Sequence, residues 1–116
     1  MANVSLMQQL TGYLEVTNQR QQMIAANMAN VDTPGYHTQD IDFQKAIDNV
    51  VNRGGDATMQ PASIEIEGLP ERPDGNNVNI DRESMMLSQT QLQYQMGVEL
   101  IKAEFHKLLT AIKEGS

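Results

Sequence analysis

Few residues in this chain have types that could do chemistry. His37, Asp40 and Asp42 are the densest group of metal-ligating types, but their spacing matches no helical or strand ligand pair, and the only other histidine, His106, lies far along the chain. Asp74-Gly75-Asn76-Asn77-Val78-Asn79 resembles the opening of a calcium loop. The sixth place, where such a loop needs glycine, holds Asn79, and no glutamate stands at the twelfth, so a turn is expected instead. Gly54-Gly55 precedes no lysine with serine or threonine and cradles no phosphate. Nucleophilic catalysis needs a serine or threonine beside a base held by a third group, and two histidines so placed offer none. With no cysteine, a disulfide framework, a thiolate metal site and a cysteine nucleophile are excluded together. The expectation is a chain with no catalytic residue, no metal, no cofactor and no small-molecule substrate.

The elements that remain are built for packing. The chain has 116 residues, 40% hydrophobic but only 4% aromatic, which leaves little to fill a compact core, so its two ends must supply most of the burial. A net charge of −7 with eight scattered Lys and Arg argues against nucleic acid as a partner. Met1 to Gln9 has no basic region or apolar stretch of the kind a secretory signal needs, and no window approaches a membrane span.

Met7, Leu10, Leu14, Thr17, Gln21, Ile24, Met28 and Val31 follow the alternating three-and-four spacing of a coiled-coil seam, interrupted at Thr17 and Gln21. The same spacing recurs at Leu87, Gln91, Tyr94, Val98, Ile101, Phe105, Leu108 and Ile112, with only Gln91 polar. The spacing predicts a second helix from Arg82 to about Lys113, with Asp81 as N-cap, Ile80 and Met85 as a hydrophobic staple, and Lys107 and Lys113 suited to the helix dipole. The predicted architecture is mainly α: two long terminal helices pairing as an antiparallel coiled coil around an irregular middle. In three parts this is an N-terminal helix at 1–33, a turn and flexible middle at 34–80, and a C-terminal helix at 81–116. Within the middle, Phe43 to Val51 reads as a short helix and Ser63 to Glu67 as an edge strand, while Asn52 to Asp56 and Gly68 to Gly75 read as loops. The eight methionines suit adaptable helix packing. The glutamine-rich runs at 19–22 and 89–95 suit solvated faces or amide bonding between subunits.

The first helix closes on Ala26-Asn27-Met28-Ala29-Asn30-Val31-Asp32-Thr33-Pro34-Gly35-Tyr36. Pro34 lacks a donor and pushes Thr33 out of the α region, and Pro34-Gly35 fits the central positions of a type II turn. Asn27 and Asn30 lie on one helical face, placed to serve orphan carbonyls or a neighbouring subunit. This run resembles the N-terminal signature of the axial proteins of the bacterial flagellum. Asp40-Ile41-Asp42-Phe43 and Asp74 to Glu83 narrow the resemblance to the proximal rod family, FlgB, across most of the chain; Val50 to Pro73 resembles it least.

The resemblance implies a structural subunit that packs with copies of itself and with other rod proteins into the periplasmic rod, transmitting torque. It implies contacts with the hook-basal body adapter protein, the export gate and the membrane ring, and export without a cleaved signal peptide. Asn27, Asn30, Thr33, Pro34, Gly35 and Tyr36 would carry the family motif and its turn. Met7, Leu10, Leu14, Ile24, Met28, Leu87, Tyr94, Val98, Ile101, Phe105, Leu108 and Ile112 would form the packed seams. The alternatives are a more distal rod subunit, or a soluble helical binding module such as a secretion chaperone.

Overall fold

A computed structural model describes residues 5–53 and 62–115. The order is helix α1 (Leu6–Ala29), strand β1 (Gln39–Ile41), helix α2 (Phe43–Arg53), strand β2 (Ser63–Glu65) and helix α3 (Ile80–Glu114). The molecule is mainly helical, as its periodicity predicts, and elongated, with extents of 68 × 29 × 20 Å. Gly54-Gly55-Asp56 and Met1 to Val4 lie outside the described residues. Asn52 and Arg53, read as the start of a loop, belong instead to the last turn of α2, whose helical hydrogen bonding outlasts the apolar pattern that marked it.

Two caps set the helix starts. At α1, Ser5 accepts from the Gln8 backbone N–H at 3.1 Å and the Gln8 side chain accepts from Ser5 N–H at 3.1 Å, a reciprocal capping box. At α3 the cap is Asn79 rather than Asp81: Asn79 holds extended backbone and its side chain accepts from Arg82 N–H at 3.1 Å. Asp81 and Glu83 then fall in the first turn, where negative charge suits the dipole.

α1 and α3 pack antiparallel. Asn27 meets Glu83 near the turn, and Tyr13 and Leu14 meet Gly97 further from it. A Cβ built on Gly97 would stand 2.7 Å from Leu14 Cδ2 and 3.2 Å from Tyr13 Cδ2, so the absence of a side chain sets this close approach. The fully buried members of α3 are Glu83, Thr90 and Gly97. Thr90 and its counterpart in α1, Thr17, are 0% exposed, yet neither strands a hydroxyl: Thr17 donates to Leu14 O at 2.8 Å and Thr90 to Met86 O at 2.7 Å. The last residue of α3 that is not exposed is Glu104, and residues 105–114 continue past the first turn of α1.

The other face of α1 carries a small core of Val16, Ile41, Ala46 and Val50, flanked by Met23, Phe43 and Ile47. Tyr13 meets Phe43 edge to face at 6.5 Å, and the Arg20 guanidinium lies 5.0 Å over the same ring. Gly12 lets α2 close on α1, because a Cβ there would lie 2.8 Å from Val50 Cγ1. Valine is stiff at χ1 and cannot swing aside. Gly12→Leu is therefore expected to displace α2 and lower stability by about 1–3 kcal/mol. Denaturant unfolding checks this, and a change within about 0.5 kcal/mol, as at an ordinary surface site, would refute the close approach.

Candidate functional site: the polar clasp at the turn

The family-like residues converge where α1 ends, β1 begins and α3 starts. Asn27 is 1% exposed and uses all four hydrogen-bonding positions of its amide. Nδ2 donates to Gln39 O at 2.7 Å and Glu83 Oε2 at 3.2 Å, while Oδ1 accepts from Tyr36 Oη at 2.9 Å and Gln39 N–H at 3.0 Å. One side chain thus ties both long helices, the turn and β1. Glu83, fully buried, also accepts from Arg82 Nη1 at 2.7 Å. Burial, with Glu83 nearby, pushes the Tyr36 phenol above its ordinary value, so it stays neutral and keeps the proton it donates. Asn30 serves its own helix end, donating to Ala26 O at 2.8 Å and accepting from Thr33 Oγ1 at 3.0 Å.

The turn has the expected geometry. Tyr36 N–H donates to Thr33 O at 3.2 Å across Pro34-Gly35, and Gly35 holds φ +75°. Gly35 N–H reaches across to Asp74 O at 2.8 Å, and a Cβ on Gly75 would come 3.4 Å from Gly35 Cα, so two glycine turns lie against each other. Nothing stands within 4 Å of a Cβ on Gly35 itself, so only its backbone conformation demands glycine. Gly35→Val is expected to strain the turn by about 1–3 kcal/mol and loosen the clasp. Faster exchange at the residue-35 amide, which donates to Asp74 O, checks this, and unchanged exchange and stability would show that the left-handed conformation is not needed.

The segment before α3 completes the clasp with three asparagines. Asn76, 0% exposed, donates from Nδ2 to Asn30 O at 2.9 Å and Thr33 O at 2.8 Å, and accepts from Val78 N–H at 2.8 Å. Asn77 Oδ1 accepts from Thr38 N–H at 2.6 Å and Thr38 Oγ1 at 2.9 Å. Asn79 caps α3. Arg20, on α1, forms a two-pronged pair with Asp40 of β1 at 3.2 and 3.0 Å, both largely buried.

His37, Asp40 and Asp42 do not converge. Asp40 turns to Arg20, Asp42 Oδ1 accepts from Lys45 N–H at 3.2 Å, and His37 pairs with Glu65 through Nδ1 and with Glu71 through Nε2 at 3.1 Å. The hydrogen bond to Glu65, reinforced by both carboxylates, raises His37 above its ordinary value of 6.5. A raised histidine contributes stability that is complete below its unfolded value and lost as pH rises through the folded one. The tie from the segment before β1 to β2 is therefore expected to weaken from about pH 6.5 upward. The Ile66 amide, which donates to Thr38 O, should then exchange faster, beyond the intrinsic pH effect, at high pH in the parent but not in His37→Gln. Equal pH dependence in both would dismiss the histidine as its cause.

Among the seam candidates, Ile24 is buried and Met7, Leu10, Leu14, Met28, Leu87, Val98 and Ile101 are half-buried; Tyr94, Phe105, Leu108 and Ile112 are exposed. Glu83, Asn76, Thr90, Gly12, Gly97 and the Arg20–Asp40 pair were not signalled by apolar spacing. A seven-residue recurrence of Glu83, Thr90 and Gly97 was the available sign.

A helical hairpin pinned by a buried amide network, with apolar side chains left outside, is the architecture of a packing subunit. The model for the family described as flagella basal body rod protein matches residues 14–37, from the middle of α1 through the turn to His37. Over its length the chain is 33% identical to the flagellar basal body rod protein FlgB of Escherichia coli K12, covering 89% of both chains. It is 28% identical to the FlgB of Bacillus subtilis 168, covering 93% of both. The chain belongs to the FlgB family of flagellar basal body rod proteins. That family is structural rather than enzymatic, and its place is the basal body. No helix among the described residues is long and apolar enough to cross a membrane.

Proposed function

We propose that this chain builds the proximal rod, packing with copies of itself and with other rod proteins and passing torque across the periplasm. The apolar stripe of α3 carries this reading: Phe105, Leu108, Leu109 and Ile112 are 55, 46, 43 and 68% exposed, on the part of the helix that runs beyond the first turn of α1. A row of large apolar side chains on one long helix is what a neighbouring helix buries in an assembly. The half-buried Met7, Leu10, Leu14, Met28, Leu87, Val98 and Ile101, with Ile24 and Tyr94, would line the rest of the seams. The clasp from Asn27 to Tyr36 would hold the angle at which each subunit presents them. The hook-basal body adapter protein, the export gate and the membrane ring would be its inner neighbours, reached by export without a cleaved signal.

The test is the position of the tagged chain in isolated basal bodies, expected at the membrane-proximal end of the rod. A position at the distal end would replace this reading with a distal subunit. A chain absent from the basal body that sediments as a stable compact dimer would replace it with a soluble helical module.

A further inference from the structure

Among the described residues, the two-stranded sheet is sealed on one edge and open on the other. Asp40 lies opposite Ile64, and the flanking pairs are bridged by Ile66 N–H to Thr38 O and Asp42 N–H to Ala62 O, each 3.0 Å. In such an antiparallel ladder, the backbone groups of Gln39 on one strand, and of Ser63 and Glu65 on the other, point away from the partner strand. On the β1 side the Asn27 amide occupies both groups of Gln39, as a pairing strand would. On the β2 side the N–H and C=O groups of Ser63 and Glu65 have no partner among the described residues, and both residues are exposed. An open edge of this kind is a template for a further strand.

The charge of the edge selects the occupant. From Ser63 to Glu71 the chain carries Glu65, Glu67 and Glu71 and no Lys or Arg. His37 faces Glu65 and Glu71, while Arg72 is turned to Val31 O and lies 3.9 Å from Asp74, leaving Glu67 without an ion pair among the described residues. A second copy of β2 laid on this edge would add its own Glu65 and Glu67 to the face that already carries these glutamates, and like charges gathered across strands are unfavourable. We infer that the open edge of β2 accepts, as an added strand, an extended segment of another protein bearing Lys or Arg. This goes beyond the packing of α3 and does not depend on it.

The probe is a synthetic eight-residue peptide of alternating lysine and valine, titrated into the full chain and followed by amide shifts and hydrogen exchange. It should slow exchange at Ser63 and Glu65 at least about tenfold and bind at least about tenfold tighter than the glutamate–valine peptide. N-methylation of alternate peptide residues should abolish binding. So should Ser63→Pro, which removes an outward N–H while leaving the Ile66–Thr38 bond as a check on the fold. Absence of protection at about 1 mM peptide, equal binding of the acidic peptide, or binding that survives N-methylation or Ser63→Pro each overturns the proposal.

Discussion

Asn27→Asp is expected to cost on the order of 3–5 kcal/mol of stability, a large effect for so conservative a change. Aspartate keeps the size and the two acceptor bonds to Tyr36 and Gln39 N–H, but removes both donors. Gln39 O loses its partner, and a second carboxylate is set against buried Glu83. A domain of this size is stable by only about 5–15 kcal/mol, so the substitution takes a large share of it. The loss is specific to charge, because Glu83→Gln in the Asn27→Asp background removes the repulsion and supplies an amide donor. That double variant should recover part of the stability, giving a favourable coupling energy of at least about 1 kcal/mol in a double-mutant cycle. Denaturant unfolding of the four proteins measures it. Additive effects of the two changes would mean that Asn27 and Glu83 do not act together.

Leu108→Asp should leave the monomer intact and abolish incorporation into the rod. Leu108 is 46% exposed, so aspartate there changes the isolated chain by no more than about 0.5 kcal/mol. In a dry contact with a neighbouring helix the same carboxylate costs several kcal/mol, repeated at every subunit. Ile101→Asp makes an instructive contrast. Ile101 is half-buried on the part of α3 that faces α1, so its replacement should lower the stability of the monomer as well. Thermal unfolding of both purified variants, beside motility and basal-body morphology at matched expression, separates the two outcomes. Normal swimming with Leu108→Asp would remove the α3 overhang from the assembly surface.

Local chemistry made much of this protein legible without a structure. Pro34-Gly35 determines a turn because proline ends the helix and glycine tolerates positive φ, and Gly35 at φ +75° is that turn. Long three-and-four spacing determines two long helices, and composition too poor in aromatics for a compact core determines that they lie side by side rather than around a large interior. What spacing could not determine is the face on which they meet. An apolar stripe marks burial without saying whether the burial is within the chain or between chains, and here the stripe runs on past the paired region to exposed Phe105, Leu108 and Ile112. Only the tertiary structure decided that the innermost positions of α3 are Glu83, Thr90 and Gly97. A hydropathy pattern passes over them, because a carboxylate, a hydroxyl and a bare backbone become suitable for burial only when Asn27 and Arg82, Met86 O, and the rings and methyls of Tyr13 and Leu14 are brought to them. Those partners come from distant segments or from helical geometry, and residue types read in order cannot announce the distances between them.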